Sequence, residues 1–294
     1  MDHVVLERGE VANSWKTERW DSLTLLTPNW QSRLPGFRYD GDDPDGFMSV
    51  REIVEFIEGY ADSIDAPIET GTEVTGVSRD DTGYLVSTKT RRWRGRAVVI
   101  ASGACNIPNV PRAADELPGT IASLTPHEYR NPSELEPGGV LIVGASATGL
   151  QLADEIKKAG HEVIVATGEH VRMPRTYRGR DIQFWLHKTG ILDEGLDVID
   201  DINRARNLPS PQLIGAHDPR ILDLNCLTGA GVSVVGKLMS LRGTTAMFSG
   251  SLKNVCALAD LKMNRMLQTI DEWVAMNPGA IDGSDDARIC LLYT

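Results

Sequence analysis

The residues that most clearly indicate a chemical function are two glycines, which separate a strand-like segment from a helix-like segment. The apolar run 139–143 predicts a buried strand, and a helical pattern of apolar residues begins at Leu150. Gly144 and Gly149 occupy the first and sixth positions of the pattern Gly-x-Gly-x-x-Gly, and Ser146 stands at the third. In that pattern glycine permits a tight turn, and backbone N–H groups at the helix start bind a pyrophosphate. The predicted pyrophosphate contacts are Gly144, Ser146, Ala147, Thr148 and Gly149.

The strand after this helix indicates which nucleotide the loop binds. Residues 161–167 are rich in β-formers and complete a strand–helix–strand unit. An acidic residue at the end of such a strand is typical of NAD sites, whereas arginine nearby is typical of NADP sites. Arg172 and Arg175 follow closely, and guanidinium groups match phosphate geometry. We therefore expect both arginines to hold the 2′-phosphate of NADPH. NADH is the alternative cofactor, because the acidic residue Glu169 also follows the strand.

Composition narrows the functional classes. The chain has 294 residues, of which 41% are hydrophobic and 24% charged, enough for two domains with their own cores. The net charge of −11 argues against a nucleic-acid partner. No apolar run approaches the ~20 residues of a membrane span, and we expect a cytoplasmic protein. The four scattered cysteines form no C-x-x-C motif, so we expect reduced thiols and no metal site.

The N-terminal segment has the pattern of a second nucleotide-binding strand. Residues 2–8 form an apolar strand that ends in Glu7, where a dinucleotide-binding unit places its ribose-binding acid. The matching glycine loop belongs about 20 residues earlier, but Met1 stands almost at the strand. Either the strand is an accidental likeness, or the first domain lacks its first strand and loop.

The remaining segments predict how these residues are positioned. Ser49–Ile64 has helical spacing, with Ser49 and Glu52 as a capping box. A second amphipathic helix is predicted at Ser251–Met276, whose apolar stripe includes Leu258 and Leu261. An antiparallel meander is predicted from three strand-like segments separated by turn residues. These segments are Glu73–Ser78, Tyr84–Thr88 and Trp93–Ile100.

In this order, the segments resemble the flavin-containing monooxygenase family and its bacterial flavoprotein relatives. The resemblance is carried by four stretches, which are Val4–Arg8, Ser14–Pro28, Val98–Gly103 and Gly144–Gly149. The chain departs from the family pattern in lacking the first glycine loop, in having Ser102 for threonine, and in the spacing between Gly119 and His127.

The resemblance implies FAD and NADPH as cofactors and oxygen transfer to a small organic substrate. It implies that Glu7, with Arg8 beside it, contacts the adenosine ribose of FAD and that Gly103 permits close backbone approach. The residues it places around the flavin are Trp15, Arg19, Trp20 and Thr27. For the tryptophans, simple core packing is an equal alternative. No catalytic side chain is assigned, because the cofactor performs the hard chemistry.

The expected fold class is α/β, with two Rossmann-like dinucleotide-binding domains, a β-meander insertion and an incomplete first domain. Residues 1–125 are the expected partial FAD domain, 126–250 the NADPH domain, and 251–294 a return helix with a tail. Two other functions stay open. One is an NADPH-dependent flavoprotein reductase without oxygenation, and the other is an inactive nucleotide-binding fragment. The oligomeric state is not indicated.

Overall fold

The computed structural model of the chain describes residues 2–103, 107–193, 195–216 and 221–279. Helices are interspersed with single strands and short runs of strands along this length, and the unit β8-α3-β9 has the order expected of an α/β protein. The helices are α1 (Asn13–Thr17), α2 (Val50–Ser63), α3 (Ala147–Lys158), α4 (Ile182–Lys188), α5 (Ile202–Arg206), α6 (Leu224–Gly229) and α7 (Leu252–Met276). The strands are β1 (Val5–Leu6), β2 (Arg33–Leu34), β3 (Phe37–Arg38), β4 (Ile68–Glu69), β5 (Gly76–Asp80), β6 (Gly83–Ser87), β7 (Arg92–Gly95), β8 (Gly139–Val143), β9 (Glu162–Thr167), β10 (Val171–Arg172), β11 (Thr176–Tyr177), β12 (Arg180–Asp181), β13 (Pro211–Gln212), β14 (Ser233–Gly236), β15 (Leu238–Arg242) and β16 (Thr245–Phe248).

The central unit is a parallel three-stranded sheet in the order β14-β9-β8, covered by α3. Leu150, Ala153 and Ile156 recur at helical spacing and are almost fully buried. They form a core with Val163 and Val165 of β9. Because burying a Leu, Ile or Val side chain contributes about 1.5–3 kcal/mol, this face fixes α3 against the sheet. The predicted strand–helix–strand unit is confirmed.

The N-terminal part is built on a short parallel pairing of β1 with β4. Helix α2 begins as predicted, because Ser49 and Glu52 form a capping box with each other's backbone N–H groups. The segment around Trp20 packs against the central unit. Trp20 is 5% exposed and packs in the core of the central unit. This segment therefore connects the N-terminal part to the sheet that carries the glycines.

The predicted antiparallel meander is confirmed as β5-β6-β7. At its first turn Asp80 accepts hydrogen bonds from Thr82 and Arg94, which lower the pKa of Asp80 to about 2. The predicted extension of the third strand to residue 100 is wrong. Val99 and Ile100 are 86% and 81% exposed, and no described strand pairs with residues 97–103. An apolar β-branched run becomes a strand only where a neighbour satisfies its backbone groups.

Helix α7 confirms the long C-terminal helix, but only part of the predicted apolar stripe is buried. Its buried apolar residues include Met263, Leu267 and Ile270, which pack on the core formed with α4. Leu258 and Leu261, placed in the stripe by the sequence pattern, are 43% and 47% exposed. None of the helices in the described ranges has the length and apolar character needed to cross a membrane.

Candidate nucleotide site

The glycine loop connects the carboxyl end of β8 to the first turn of α3. Gly144 adopts φ +113°, and its N–H donates to the carbonyl oxygen of Ala166 at 3.0 Å. A Cβ on Gly149 would stand 2.0 Å from the carbonyl oxygen of Gly144. Both positions therefore require glycine, the first for its backbone conformation and the second for the close approach of helix and strand.

The loop has open space and free donors. A Cβ built on Gly144 would meet no heavy atom within 4 Å, so the space beside this residue is open. Ser146 is the N-cap residue of α3, but its side chain makes no capping hydrogen bond. Helix α3 has no acidic residue in its first turn, so the positive end of its dipole is not neutralised there. The five predicted contacts thus lie together in a turn that suits an anion.

The two arginines predicted to bind a 2′-phosphate lie inside the protein. Both are 3% exposed. Arg172 pairs with Asp223 at 2.7 Å and with Asp260. Arg175 donates to Asp181 through Nε at 2.7 Å and Nη2 at 2.6 Å. A buried guanidinium group must be paired to be tolerated. These positions argue against the predicted 2′-phosphate role, because the donor groups already serve internal carboxylates.

A different cation stands at the edge where that phosphate was expected. Strand β14 pairs with β9 so that Gly236 faces Thr167, which places Lys237 beside Gly168. The stem of Lys237 lies 3.8 Å from the position of a Cβ on Gly168. Lys237 is exposed and forms no ion pair within the described residues. Lys237 directly follows β14 and was not among the residues predicted from the sequence.

Glu169, the acidic residue that made NADH the alternative cofactor, already has a partner. Glu169 accepts a hydrogen bond from Lys262 at 2.6 Å, which lowers the pKa of the Glu169 carboxyl group. His170 beside it is buried, and this burial lowers the pKa of its imidazole below the usual range. This edge of the sheet therefore presents one exposed lysine, Lys237 after β14, and one paired carboxylate, Glu169 after β9.

The residues expected to hold FAD fall into two groups. Glu7 ends β1, and its Oε1 accepts the backbone N–H of Gly9 at 2.8 Å. Arg8 pairs with Glu18. Gly103 adopts φ +81°, a conformation that favours glycine. All three precede the central unit in the sequence, and their contacts with FAD stay a prediction.

The second group is the predicted flavin segment, residues 14–28. Arg19 lies over the ring of Trp15 at 5.3 Å. Thr27 is half-buried. Trp20 is a core residue of the central unit, so core packing accounts for its burial. Next to this segment, Asn29 is 5% exposed, and its Oδ1 has no hydrogen-bond partner within the described part of the chain.

Comparison with known proteins identifies the family of the chain. The family model for pyridine nucleotide-disulphide oxidoreductases matches residues 1–189. The chain belongs to this family. An uncharacterized CzcO-like oxidoreductase of Geobacillus kaustophilus (strain HTA426) is 34% identical over 191 residues, which cover 65% of this chain and 54% of the relative. A probable indole-3-pyruvate monooxygenase of Arabidopsis thaliana, YUCCA9, is 25% identical and covers 60% of this chain and 44% of that relative.

Solved structures show the same fold. A flavin-containing monooxygenase from Stenotrophomonas maltophilia matches 84% of this chain and 72% of that chain, with a TM-score of 0.61 and 17% identity. The enzyme Tmm from Pelagibacter sp. strain HTCC7211 also matches 84% of this chain, with a TM-score of 0.54 and 17% identity. The predicted α/β flavoprotein fold and the resemblance to flavin-containing monooxygenases are thus confirmed. The chain spans about half the length of the curated relatives it matches.

This member of the pyridine nucleotide-disulphide oxidoreductase family has no C-x-x-C pair in its sequence. Cys226 and Cys256 form no disulfide within the described residues, and burial raises the pKa of the Cys256 thiol. Cys105 and Cys290 lie outside the described residues.

Proposed function

We propose that the chain is an FAD-dependent oxidoreductase of the monooxygenase type, which uses NADPH to oxygenate a small organic substrate. The observation that carries the proposal is the turn from Gly144 to Gly149, open beside Gly144 and without an acid in the first turn of α3. The relatives named as monooxygenases support the reaction type. We also propose that the domain boundaries lie at residues 125 and 250 and that the protein is cytoplasmic.

For the nucleotide, the chain supplies backbone donors and one cation. The N–H groups of Ser146, Ala147 and Thr148 would hold the pyrophosphate at the helix N-terminus. Lys237 would contact the 2′-phosphate, because it is exposed beside Gly168 at the carboxyl end of β14. The pairing of Glu169 with Lys262 leaves that carboxylate less suited to ribose hydroxyls. Both features favour NADPH over NADH.

For FAD, the chain offers a ribose acceptor and a buried amide. Glu7 stands at the end of β1, where an acid binds ribose hydroxyls. The Oδ1 of Asn29 is a buried acceptor without a partner, and such atoms are rare unless a ligand or water satisfies them. This oxygen would accept a hydrogen bond from a donor on the bound flavin ring. When bound, FAD supplies hydride acceptance and oxygen activation, while the protein orients it and excludes water.

The first test is direct binding of NADPH and NADH by titration calorimetry. Lys237→Ala removes one charge-assisted contact, which is worth about 1.5–3 kcal/mol. At 1.4 kcal/mol for each tenfold change, the Kd for NADPH should rise by roughly tenfold or more. The Kd for NADH should not change. Lys89→Ala is the control, because Lys89 is 80% exposed in the meander. Equal effects of Lys237→Ala on the Kd values of both nucleotides would show that Lys237 does not contact the 2′-phosphate.

The second test separates oxygenation from simple reduction. Oxygen uptake is measured with NADPH, added FAD and an amine, a sulfide or a ketone. A monooxygenase consumes oxygen and yields oxygenated product. Electron transfer from NADPH to a dye, without oxygenated product from any of these substrates, would instead support the reductase.

A further inference from the structure

We infer that Gln212 is a positioning residue that fixes the glycine loop in the shape that receives the pyrophosphate. This inference rests on the proposed nucleotide site. Gln212 is 1% exposed, and its Nε2 donates to the carbonyl oxygen of Ala145 at 2.8 Å. Ala145, inside the loop, is itself 3% exposed. A side chain from β13, 67 residues away in sequence, therefore holds one peptide group of the loop.

The geometry of the peptide explains why this contact matters for an anion. The carbonyl of Ala145 and the N–H of Ser146 belong to one planar trans peptide, so they point in opposite directions. When Gln212 holds the carbonyl towards the interior, the N–H of Ser146 points away from it. This N–H donates to no acceptor within the described residues. A flip of the same peptide would turn a carbonyl oxygen towards the phosphates.

Gln212 can act in this way because its own backbone is held from two sides. Strand β13 pairs with β10, with Gln212 opposite Arg172. Arg172 is in turn fixed by its ion pairs with Asp223 and Asp260. The next residue, Leu213, accepts a hydrogen bond from Nε2 of Gln151 at 3.0 Å. The amide of Gln212 therefore starts from a rigid position.

The same segment also contacts the predicted flavin segment. Nη1 of Arg175 donates to the carbonyl oxygens of Leu26 at 2.8 Å and Ile214 at 3.4 Å. Thr24 donates through its hydroxyl to the carbonyl oxygen of Gly215. A Cβ on Gly215 would stand 1.8 Å from the carbonyl oxygen of Leu25. Residues 212–215 thus place the glycine loop relative to residues 24–26.

The test compares two side chains that donate to backbone carbonyl oxygens. Gln212→Met keeps the length of the side chain and removes the donor to the loop. Thr189→Val keeps the shape of its side chain and removes the hydroxyl that donates to the carbonyl oxygen of Trp185 in α4 at 2.8 Å, outside the loop. We expect Gln212→Met to raise the Kd for NADPH by about tenfold, the equivalent of one hydrogen bond. Thr189→Val should change that Kd by less than about twofold, although it also removes one hydrogen bond.

Hydrogen exchange gives a readout that a general loss of stability would not reproduce. Amides 145–149 should exchange faster in Gln212→Met than in Thr189→Val. If Gln212→Met does not fold, Gln212→Asn, whose amide is one methylene too short, replaces it with the same expected order. Equal Kd values for the two variants, or equal exchange in the loop, would overturn the inference. Failure of the natural sequence itself to bind NADPH would instead overturn the proposed nucleotide site.

Discussion

Replacement of Arg172 by methionine distinguishes a buried structural arginine from a nucleotide-binding one. The guanidinium of Arg172 is 3% exposed, and the side chains of its partners Asp223 and Asp260 are 8% and 10% exposed. Removing one member of a buried ion pair leaves its partner unpaired and costs about 3–5 kcal/mol. Replacing Arg172 leaves two such carboxylates, those of Asp223 and Asp260. Since 1 kcal/mol shifts the melting temperature of a protein of this size by about 2–4 °C, we expect a loss of roughly 10 °C or more.

The assay is thermal unfolding followed by circular dichroism, together with titration of NADPH and NADH. Arg180→Ala is the matched control, because Arg180 lies in the same arginine-rich segment but is exposed. A surface substitution of this kind changes the free energy of unfolding by no more than about 0.5 kcal/mol. The triple variant Arg172→Met, Asp223→Asn, Asp260→Asn should recover much of the loss. It removes the charges left by the loss of Arg172, and residue 223 keeps the side-chain oxygen that caps α6 by accepting the Cys226 N–H.

The opposite result would restore the expectation drawn from the sequence. If Arg172 contacted a 2′-phosphate, Arg172→Met would weaken NADPH binding at least tenfold relative to NADH, with a change in melting temperature below about 2 °C. That outcome would refute the assignment of Arg172 to the interior. The predicted outcome is a large loss of stability that is the same in the presence of either nucleotide.

Two further substitutions test the loop and its surroundings. Gly149→Ala places a Cβ 2.0 Å from the carbonyl oxygen of Gly144, so nucleotide affinity measured by calorimetry should fall at least about tenfold. Gly229→Ala, which meets nothing within 4 Å, should leave affinity unchanged, and equal effects would contradict the argument. Burial lowers the pKa of His170, so the unfolded chain gains this proton first as the pH falls below about 6.5. Stability is therefore complete above that pH and declines below it until the folded pKa is reached. His170→Asn should flatten this decline in denaturant titrations between about pH 5 and 7, and an unchanged slope would exclude His170 as its source.

The parts of the fold that the sequence predicted are those governed by local rules. The capping box at Ser49 and Glu52 and the turn between β5 and β6 depend on residues close in sequence. The glycine loop is of the same kind, because Gly144 and Gly149 interact within one turn. Arg172 and Lys237 could not be assigned in this way. The partners of Arg172 lie 51 and 88 residues away, and Lys237 meets Gly168 only through the pairing of β14 with β9.

The roles that we propose for Arg172 and Lys237 follow from the chemistry of the two side chains. Guanidinium has five donors in a rigid fork, so Arg172 can satisfy two carboxylates at once inside the protein. An ammonium group on a flexible stem is more strongly hydrated and stays at the surface, as Lys237 does beside Gly168. Clustered arginines after a nucleotide-binding strand therefore indicate a phosphate site only when no acidic residue from a later helix reaches them. In this chain Asp260 of α7 reaches Arg172, and the cation that we propose for the phosphate, Lys237, directly follows β14.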